Sequence, residues 1–256
     1  MKNKIISISN QKGGVAKTST CINLGLALGL YKNNVLLIDL DAQSNLSLAL
    51  GLKDKKSIYD VLSSGNGDLS GIIIKTDFTN LSVIPSNGNM GLMSREYFGR
   101  PDYEYMLQDK FEALRDKYDF ILIDTPPSLG FFSVNALTSS DMVIIPSQCE
   151  YLSVVGVKQT MTIIHTVKNK IKKDLPFRIL VAMYDQRNNV EQMFYAQLKK
   201  TYGDKLYNTI ISTDTKVKES QIVGKPVIYY SKKSKAGLQY LTLAKEILGG
   251  MTNGQQ

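Results

Sequence analysis

Ten residues near the start of the chain, Asn10-Gln11-Lys12-Gly13-Gly14-Val15-Ala16-Lys17-Thr18-Ser19, stand between an apolar run, Ile5-Ile6-Ser7-Ile8, and a helical pattern that begins Cys21-Ile22-Asn23-Leu24. A glycine-containing loop that leaves a strand and opens a helix turns its backbone N–H groups inward. The positive end of the helix dipole then faces whatever the loop encloses, which makes it a cradle for phosphate. Lys17 is placed to reach the β- and γ-phosphates of a nucleotide, and the Thr18 hydroxyl to ligate Mg2+. Lys12 precedes the glycine pair and is a second lysine that an ordinary phosphate loop does not require. A positive φ at position 16 would cost Ala roughly 1–2 kcal/mol, so a negative φ is expected at Ala16.

Strand-like and helix-like runs alternate along the rest of the chain. Strands are expected at residues 4–9, 35–40, 81–85, 120–124, 142–146, 178–183 and 206–211, several of them nearly continuous apolar runs, as buried parallel strands are. Helices are expected at 18–30, 43–50, 103–117, 131–139, 153–171, 190–202 and 236–248. The alternation predicts an α/β fold, a mainly parallel twisted sheet with helices on both faces. Ligands in such folds sit beyond the carboxyl ends of the strands, where the phosphate loop falls. At 256 residues, with no Pro/Gly/Ser-rich break, the chain reads as one domain over 1–256.

Two of the expected strands end in acids. Val35-Leu36-Leu37-Ile38-Asp39-Leu40-Asp41 puts Asp39 and Asp41 on the same face by its period of two. Phe120-Ile121-Leu122-Ile123-Asp124 closes on a single carboxylate. An apolar strand ending in an acid beside a phosphate loop is the arrangement that holds Mg2+ or its waters next to phosphate.

The two cysteines, Cys21 and Cys149, form no disulfide framework and read as reduced core thiols of a cytoplasmic protein. The one histidine, His165, lies in a helical pattern and reads as a structural or surface residue, not a catalytic one. No apolar run approaches the roughly 18 residues of a membrane span, and the first strand begins too early for a signal peptide. Net charge is +8, and +6 of it lies in the last 58 residues, with ten lysines against four acids. That imbalance implies an acidic partner, nucleic acid first. Lys216, Lys218, Lys232, Lys233 and Lys235 are the candidate contacts; this third has no arginine, which fits phosphate tracking without base reading.

The loop Lys12-Gly13-Gly14-Val15-Ala16-Lys17-Thr18 resembles the deviant phosphate loop K-G-G-x-G-K-[ST] of the ParA/MinD family of ATPases, with Ala16 as its one departure. Asp39-Leu40-Asp41-Ala42-Gln43 resembles that family's switch I, D-x-D-P-Q, with Ala42 for proline, and Asp124-Thr125-Pro126-Pro127 resembles its switch II, D-x-P-P. Pro146–Tyr151, Met183–Arg187 and Glu219–Pro226 continue the likeness over nearly the whole chain, closest to the ParA/Soj branch that partitions plasmids and chromosomes.

The resemblance implies an ATPase that uses ATP and Mg2+. Lys12, Gly13, Gly14, Val15, Ala16, Lys17, Thr18 and Ser19 would hold the phosphates. Asp41 would position the attacking water, Thr18, Asp39 and Asp124 would stand at the metal, and Met183, Asp185 and Arg187, with the loop at 211–215, would cradle the adenine. The Gly13-Gly14 turn redirects the chain between the two lysines, so Lys12 can project towards a facing copy and its phosphates. An ATP-bound sandwich homodimer would then bind double-stranded DNA non-specifically on the nucleoid, and a ParB-type partner would release it by stimulating hydrolysis.

Three other readings stay open. A membrane-bound MinD-like protein would need an amphipathic end, which residues 247–256 lack. A regulator with an added helix-turn-helix finds no space before residue 5. A metabolic ATPase of a biotin-synthesis or nitrogenase type is the third, and the second of these needs cysteines for a shared cluster, a use that Cys21 and Cys149 do not fit.

Overall fold

The computed structural model describes residues 3–64, 67–128 and 130–252. The residues 253–256 of the tail reading, with 1, 2 and Leu129, lie outside it. The strands are β1 Lys4–Ile8, β2 Val35–Asp39, β3 Ile74–Lys75, β4 Leu81–Ile84, β5 Phe120–Asp124, β6 Met142–Ser147 and β7 Phe177–Val181. The α-helices are α1 Lys17–Leu30, α2 Asn45–Ala49, α3 Ile58–Ser63, α4 Met90–Tyr97, α5 Gln108–Glu112, α6 Phe131–Ser139, α7 Tyr151–Ile171, α8 Asn189–Tyr202, α9 Thr215–Ile222, α10 Val227–Tyr230 and α11 Lys235–Thr252.

The strands form one sheet in the order β3-β4-β2-β5-β1-β6-β7. Every pairing is parallel except the short β3–β4 edge. Alternate residues of the central strands feed opposite faces. Ile6 and Ile8 of β1, with Leu37 of β2 and Leu122 of β5, pack under Leu24 and Leu28 of α1 and Tyr240 and Leu243 of α11. Ile5, Leu36, Ile38 and Ile123 pack on the other face against Phe111, Phe131 and Ala136. A third cluster joins Val143, Ile145 and Ile179 to Val157 and Ile164 of α7 and Leu198 of α8. The α/β fold with a mainly parallel sheet and helices on both faces is the one the alternation predicts.

Two expected elements are not formed as drawn. Residues 206–211 make only isolated parallel bridges, Ile179 with Leu206 and Tyr184 with Ser212. Between them the Asn208 and Thr209 amides donate to the Glu246 carboxylate at 2.7 and 2.9 Å, so the ladder towards β7 is interrupted. Residues 103–117 break into α5 between two 3-10 turns. The Asn135 side chain is inserted there: its oxygen accepts the Leu107 N–H at 2.9 Å and its amide donates to the Tyr103 carbonyl at 2.9 Å. Those are the two groups a continuous helix would pair with each other. Among the described residues no helix is long and apolar enough to cross a membrane.

Candidate nucleotide site

The phosphate loop leaves β1 at the carboxyl edge of the sheet and runs straight into α1. Asn10 fixes its entry: the side-chain amide donates to the Pro146 carbonyl at 2.7 Å, and the side-chain oxygen accepts the Lys12 N–H at 3.0 Å. Gly14 adopts φ 75°, and a Cβ at Gly13 or Gly14 would meet nothing within 4 Å, so the backbone there is open to a ligand. Val15 is fully buried and anchors the loop to the core.

Ala16 corrects an expectation. It lies at φ 65°, ψ 27°, the left-handed region, and not at negative φ. The chain must turn here to start α1 while the Ala16 carbonyl accepts the Thr20 N–H at 2.9 Å, and that turn geometry prevails over the preference of Ala.

Lys17 is buried, and its ammonium donates to the Lys12 carbonyl at 3.0 Å. Burial lowers its pKa, with Asp124 and Asp41 pulling the other way. Ser19 faces α9, where its hydroxyl accepts from the Gln221 amide at 3.0 Å.

The acids converge on this loop. Asp39 and Asp124 are register partners on β2 and β5. The Thr18 hydroxyl donates to Asp124 Oδ2 at 2.7 Å, while buried Asp124 Oδ1 has no hydrogen-bond partner among the described residues. Burial first, and then the charge of Asp39, holds the Asp124 carboxyl well above the usual carboxylate range. Burial likewise pushes Asp39 up to about 6, against the bonds it accepts from Ser47 and Asp41. A buried carboxylate oxygen without a donor, beside a hydroxyl, suits a hard cation. No cluster of three or more His, Cys, Asp or Glu able to hold a metal alone occurs among the described residues. A cation here would complete its shell with phosphate oxygens and water, as Mg2+ does.

A cleft of about 740 Å3 runs from Gly13, Lys17, Thr18 and Asp41 to Met183, Ile211 and Asp214. Met183 lies in its wall, held at φ 56° with its carbonyl accepting from the Thr213 hydroxyl at 2.9 Å. Asp185 and Arg187 pair with each other at 2.8 Å outside that wall, the Arg187 bonds bringing Asp185 down to about 2. His165 is exposed on α7, away from the cleft, and Cys21 and Cys149 are buried free thiols.

Lys12 turns to its own chain, where its ammonium meets the Glu150 carboxylate and the Ser153 hydroxyl, the latter at 3.1 Å. Glu150 stands just ahead of α7, far along the sequence, and no local motif marks the pairing.

Two helix starts that carry basic residues share one carboxylate. Asp214 Oδ1 accepts the Lys216 N–H at 2.9 Å at the start of α9. Its Oδ2 accepts the Ser234 hydroxyl at 2.6 Å and the Ala236 N–H at 3.1 Å at the start of α11. Lys216 and Lys218 on α9 and Lys232, Lys233 and Lys235 around the α11 start are all exposed. The only sequence signal for this double cap is an Asp just ahead of a helix.

An AAA-domain family model matches residues 3–177. The sporulation initiation inhibitor protein Soj of Bacillus subtilis is 39% identical over 248 residues, covering 95% of this chain and 98% of Soj. The chromosome partitioning protein ParA of Caulobacter vibrioides is 37% identical over 251 residues, covering 96% and 94%. Among solved structures, a plasmid partition protein of Borrelia burgdorferi superimposes with TM-score 0.78 at 27% identity, covering 98% of this chain and all of that one. The cobyrinic acid a,c-diamide synthase of Mycobacterium smegmatis, bound to an ATP analogue and magnesium, gives TM-score 0.84 at 30% identity, covering 98% and 97%. With a phosphate loop, paired strand-end acids and full-length likeness to Soj and ParA, the chain belongs to the ParA/MinD family of AAA-domain ATPases, on its ParA/Soj side.

Proposed function

We propose that this protein is a DNA-partition ATPase. ATP with Mg2+ drives two copies into a sandwich dimer, the dimer binds double-stranded DNA without regard to sequence, and a ParB-type partner releases it by stimulating hydrolysis. The observation that carries the reading is that Lys17 and Thr18, the latter bonded to buried Asp124 behind it, line one end of a cleft whose other end is built on Asp214, the residue that caps both lysine-bearing helices. Nucleotide chemistry and a basic surface thereby share a wall.

Mg2+, when bound, neutralises phosphate charge and orients the oxygens of the displacement. Thr18 and Asp124 would hold it, with Asp39 behind them supplying charge and anchoring α2 through Ser47. The loop amides from Gly13 to Ser19 bind and orient the phosphates, and Lys17 stabilises charge on the terminal one. Asp41, half-exposed in the cleft, positions the attacking water. Lys12 leaves Glu150 to neutralise charge on the phosphates of the facing copy, which makes the dimer a condition for turnover.

Nucleoid association follows from affinity for DNA backbone phosphate, which lysines supply without base specificity. The test is DNA binding measured with and without ATP over a range of salt. Affinity that appears only with ATP, falls with salt and is absent in Lys17→Ala supports the reading. Salt-insensitive or nucleotide-independent binding refutes it.

A further inference from the structure

Asp41 is fixed at both of its backbone polar groups by buried side chains, those of Asp39 and Ser86, and these two residues are linked through the Ser47 hydroxyl. Its N–H donates to Asp39 Oδ1 at 3.1 Å, and its carbonyl accepts the Ser86 hydroxyl at 2.6 Å. The Ser86 N–H donates to the Ser47 hydroxyl oxygen at 2.9 Å, and the Ser47 hydroxyl donates to Asp39 Oδ2 at 2.7 Å. The circuit Asp39–Ser47–Ser86–Asp41 is therefore closed. Asp39 and Ser47 are completely buried and Ser86 is 3% exposed. A fully satisfied buried polar network of this kind is rigid, because any displacement leaves a donor or acceptor unpaired away from water.

The strand order makes the circuit possible. β4 lies next to β2 with Ile84 opposite Ile38, so the residues that follow the two strands emerge side by side. Ser47 comes from α2 and closes the gap between them. Outside the circuit, Asp41 Oδ1 accepts the Gln43 N–H at 2.9 Å, which fixes the plane of the carboxylate on the clamped backbone.

We infer that Ser86, backed by Ser47, is a positioning residue for hydrolysis: it sets the aim of the Asp41 carboxylate without itself touching nucleotide or water. The inference rests on the reading of Asp41 as the group that places the water. Catalysis by placement is sensitive to small displacements, and a shift on the order of 1 Å costs about a hundredfold. The Asp41 carbonyl also accepts the Ser44 N–H at 2.9 Å, so releasing the Ser86 bond removes one of three backbone anchors and produces a smaller displacement than that.

Ser86→Ala is a clean probe. It deletes the hydroxyl bond to the Asp41 carbonyl but keeps the backbone N–H that Ser47 accepts, so the remaining circuit stands. At saturating ATP and Mg2+ with DNA present, Ser86→Ala should turn over roughly five- to twentyfold more slowly, a part of the displacement cost above. Its ATP dissociation constant should stay within about twofold, by the same separation of placement from binding. Ser86→Thr, which keeps the hydroxyl, should restore most of the rate.

The deciding comparison is Ser86→Ala in an Asp41→Ala background. There the clamp has nothing left to aim, and Ser86→Ala should change the residual rate by less than about twofold, the mark of two residues acting as a unit. Full turnover in Ser86→Ala, an equal slowing in the Asp41→Ala background, or loss of ATP affinity in proportion to rate would each overturn the inference. Fast turnover in Asp41→Ala alone would overturn the reading of Asp41 and the inference with it. A slow Asp41→Ala beside a full-rate Ser86→Ala would overturn only the clamp.

Discussion

Lys12 and Glu150 are joined across the mouth of the phosphate loop, with the Ser153 hydroxyl touching both, at 3.1 Å from the ammonium and 3.2 Å from the carboxylate. The bond from Lys12 holds the Glu150 carboxyl below the usual range. The lysine proposed to act on a facing copy is thus parked on its own chain. The pair is part-exposed, and such pairs are worth roughly 0–1 kcal/mol. Glu150→Gln should therefore release Lys12 cheaply and tighten ATP-dependent dimerisation by up to about fivefold. Lys12→Ala should keep monomeric ATP binding and lose dimerisation and hydrolysis together. Sedimentation velocity with ATP over a protein dilution series reads both; weaker dimers in Glu150→Gln would mean that Glu150 itself serves the interface.

Ala16 offers a test of strain. In the left-handed region its Cβ costs roughly 1–2 kcal/mol, and Gly removes that cost while losing about 0.4–1 kcal/mol through the freer unfolded chain. Ala16→Gly should be stabilising by roughly 0.5–1 kcal/mol on that difference, with ATP affinity kept. Ala16→Val should be destabilising by more than Gly gains, because a β-branched side chain fits φ 65° worse. Urea unfolding of the three proteins decides it. An Ala16→Gly protein less stable than the parent would show that the loop draws no strain from this residue.

The parts of the site legible in the sequence are those that lie at the end of an apolar strand or the start of a helix. Lys17, Thr18 and Asp124 are brought together as their positions suggested, because a parallel sheet delivers all its strand ends to one edge. The hidden parts come from strand adjacency. Ser86 reaches Asp41 only because β4 lies beside β2, and Glu150 reaches Lys12 only because β6 lies beside β1. No local spacing encodes either neighbour. The helix drawn over 103–117 failed for a similar reason, since the amide that splits it belongs to Asn135. α3 was missed although Ser57 and Asp60 form a reciprocal cap at its start, because six residues are too few to show a period.

Asp141 gives the fold a dependence on acid. It accepts the Ile5 N–H at 2.9 Å and an Arg115 guanidinium N–H at 2.7 Å, tying the start of β1 to the turn before β5. Burial alone would raise its pKa, but the bonds from Arg115 and Ile5 hold it below the ordinary value of 3.8. A depressed folded pKa means stability that is fully present above 3.8 and is lost as pH falls through the folded value. Asp141→Asn should lower the unfolding free energy at neutral pH by about 1–3 kcal/mol, the worth of a part-buried hydrogen bond between charged groups, while Arg115 keeps its pairing to Glu112 and to the Asn3 carbonyl. That difference should shrink as the pH falls from 3.8 through the lower folded value, below which the parent carboxylate is itself protonated. Denaturant curves across the acid range check this; a gap that stays constant would assign the loss to geometry and not to charge.

Lys216 and Lys218 are separable, although the sequence presents them as one pair. Two residues apart on a helix they diverge by roughly 200°. Lys218 lines the nucleotide cleft with Val217 and Gln221. Lys216 does not; its ammonium lies 2.7 Å from Glu219 and 6.0 Å from the centre of the Tyr230 ring, whose hydroxyl also donates to Glu219. Lys216 therefore stands on the side of α9 shared with α10, next to the turn that carries Lys232 and Lys233. DNA phosphate would have to compete with Glu219 for it, and an exposed pair of this kind holds its lysine by only about 0–1 kcal/mol. Lys216→Glu should weaken binding to all DNA sequences alike and reduce the salt slope by roughly one. Glu219→Gln should do the reverse and strengthen binding by up to about fivefold. Lys218→Glu should instead weaken ATP binding, since it sets a negative charge at the rim of the phosphate cleft, and should affect DNA only through the nucleotide. DNA titrations at several salt concentrations, beside ATP calorimetry on the same three proteins, separate the two roles. Equal effects of Lys216→Glu and Lys218→Glu on both ligands would mean that α9 meets DNA and nucleotide through one undivided surface.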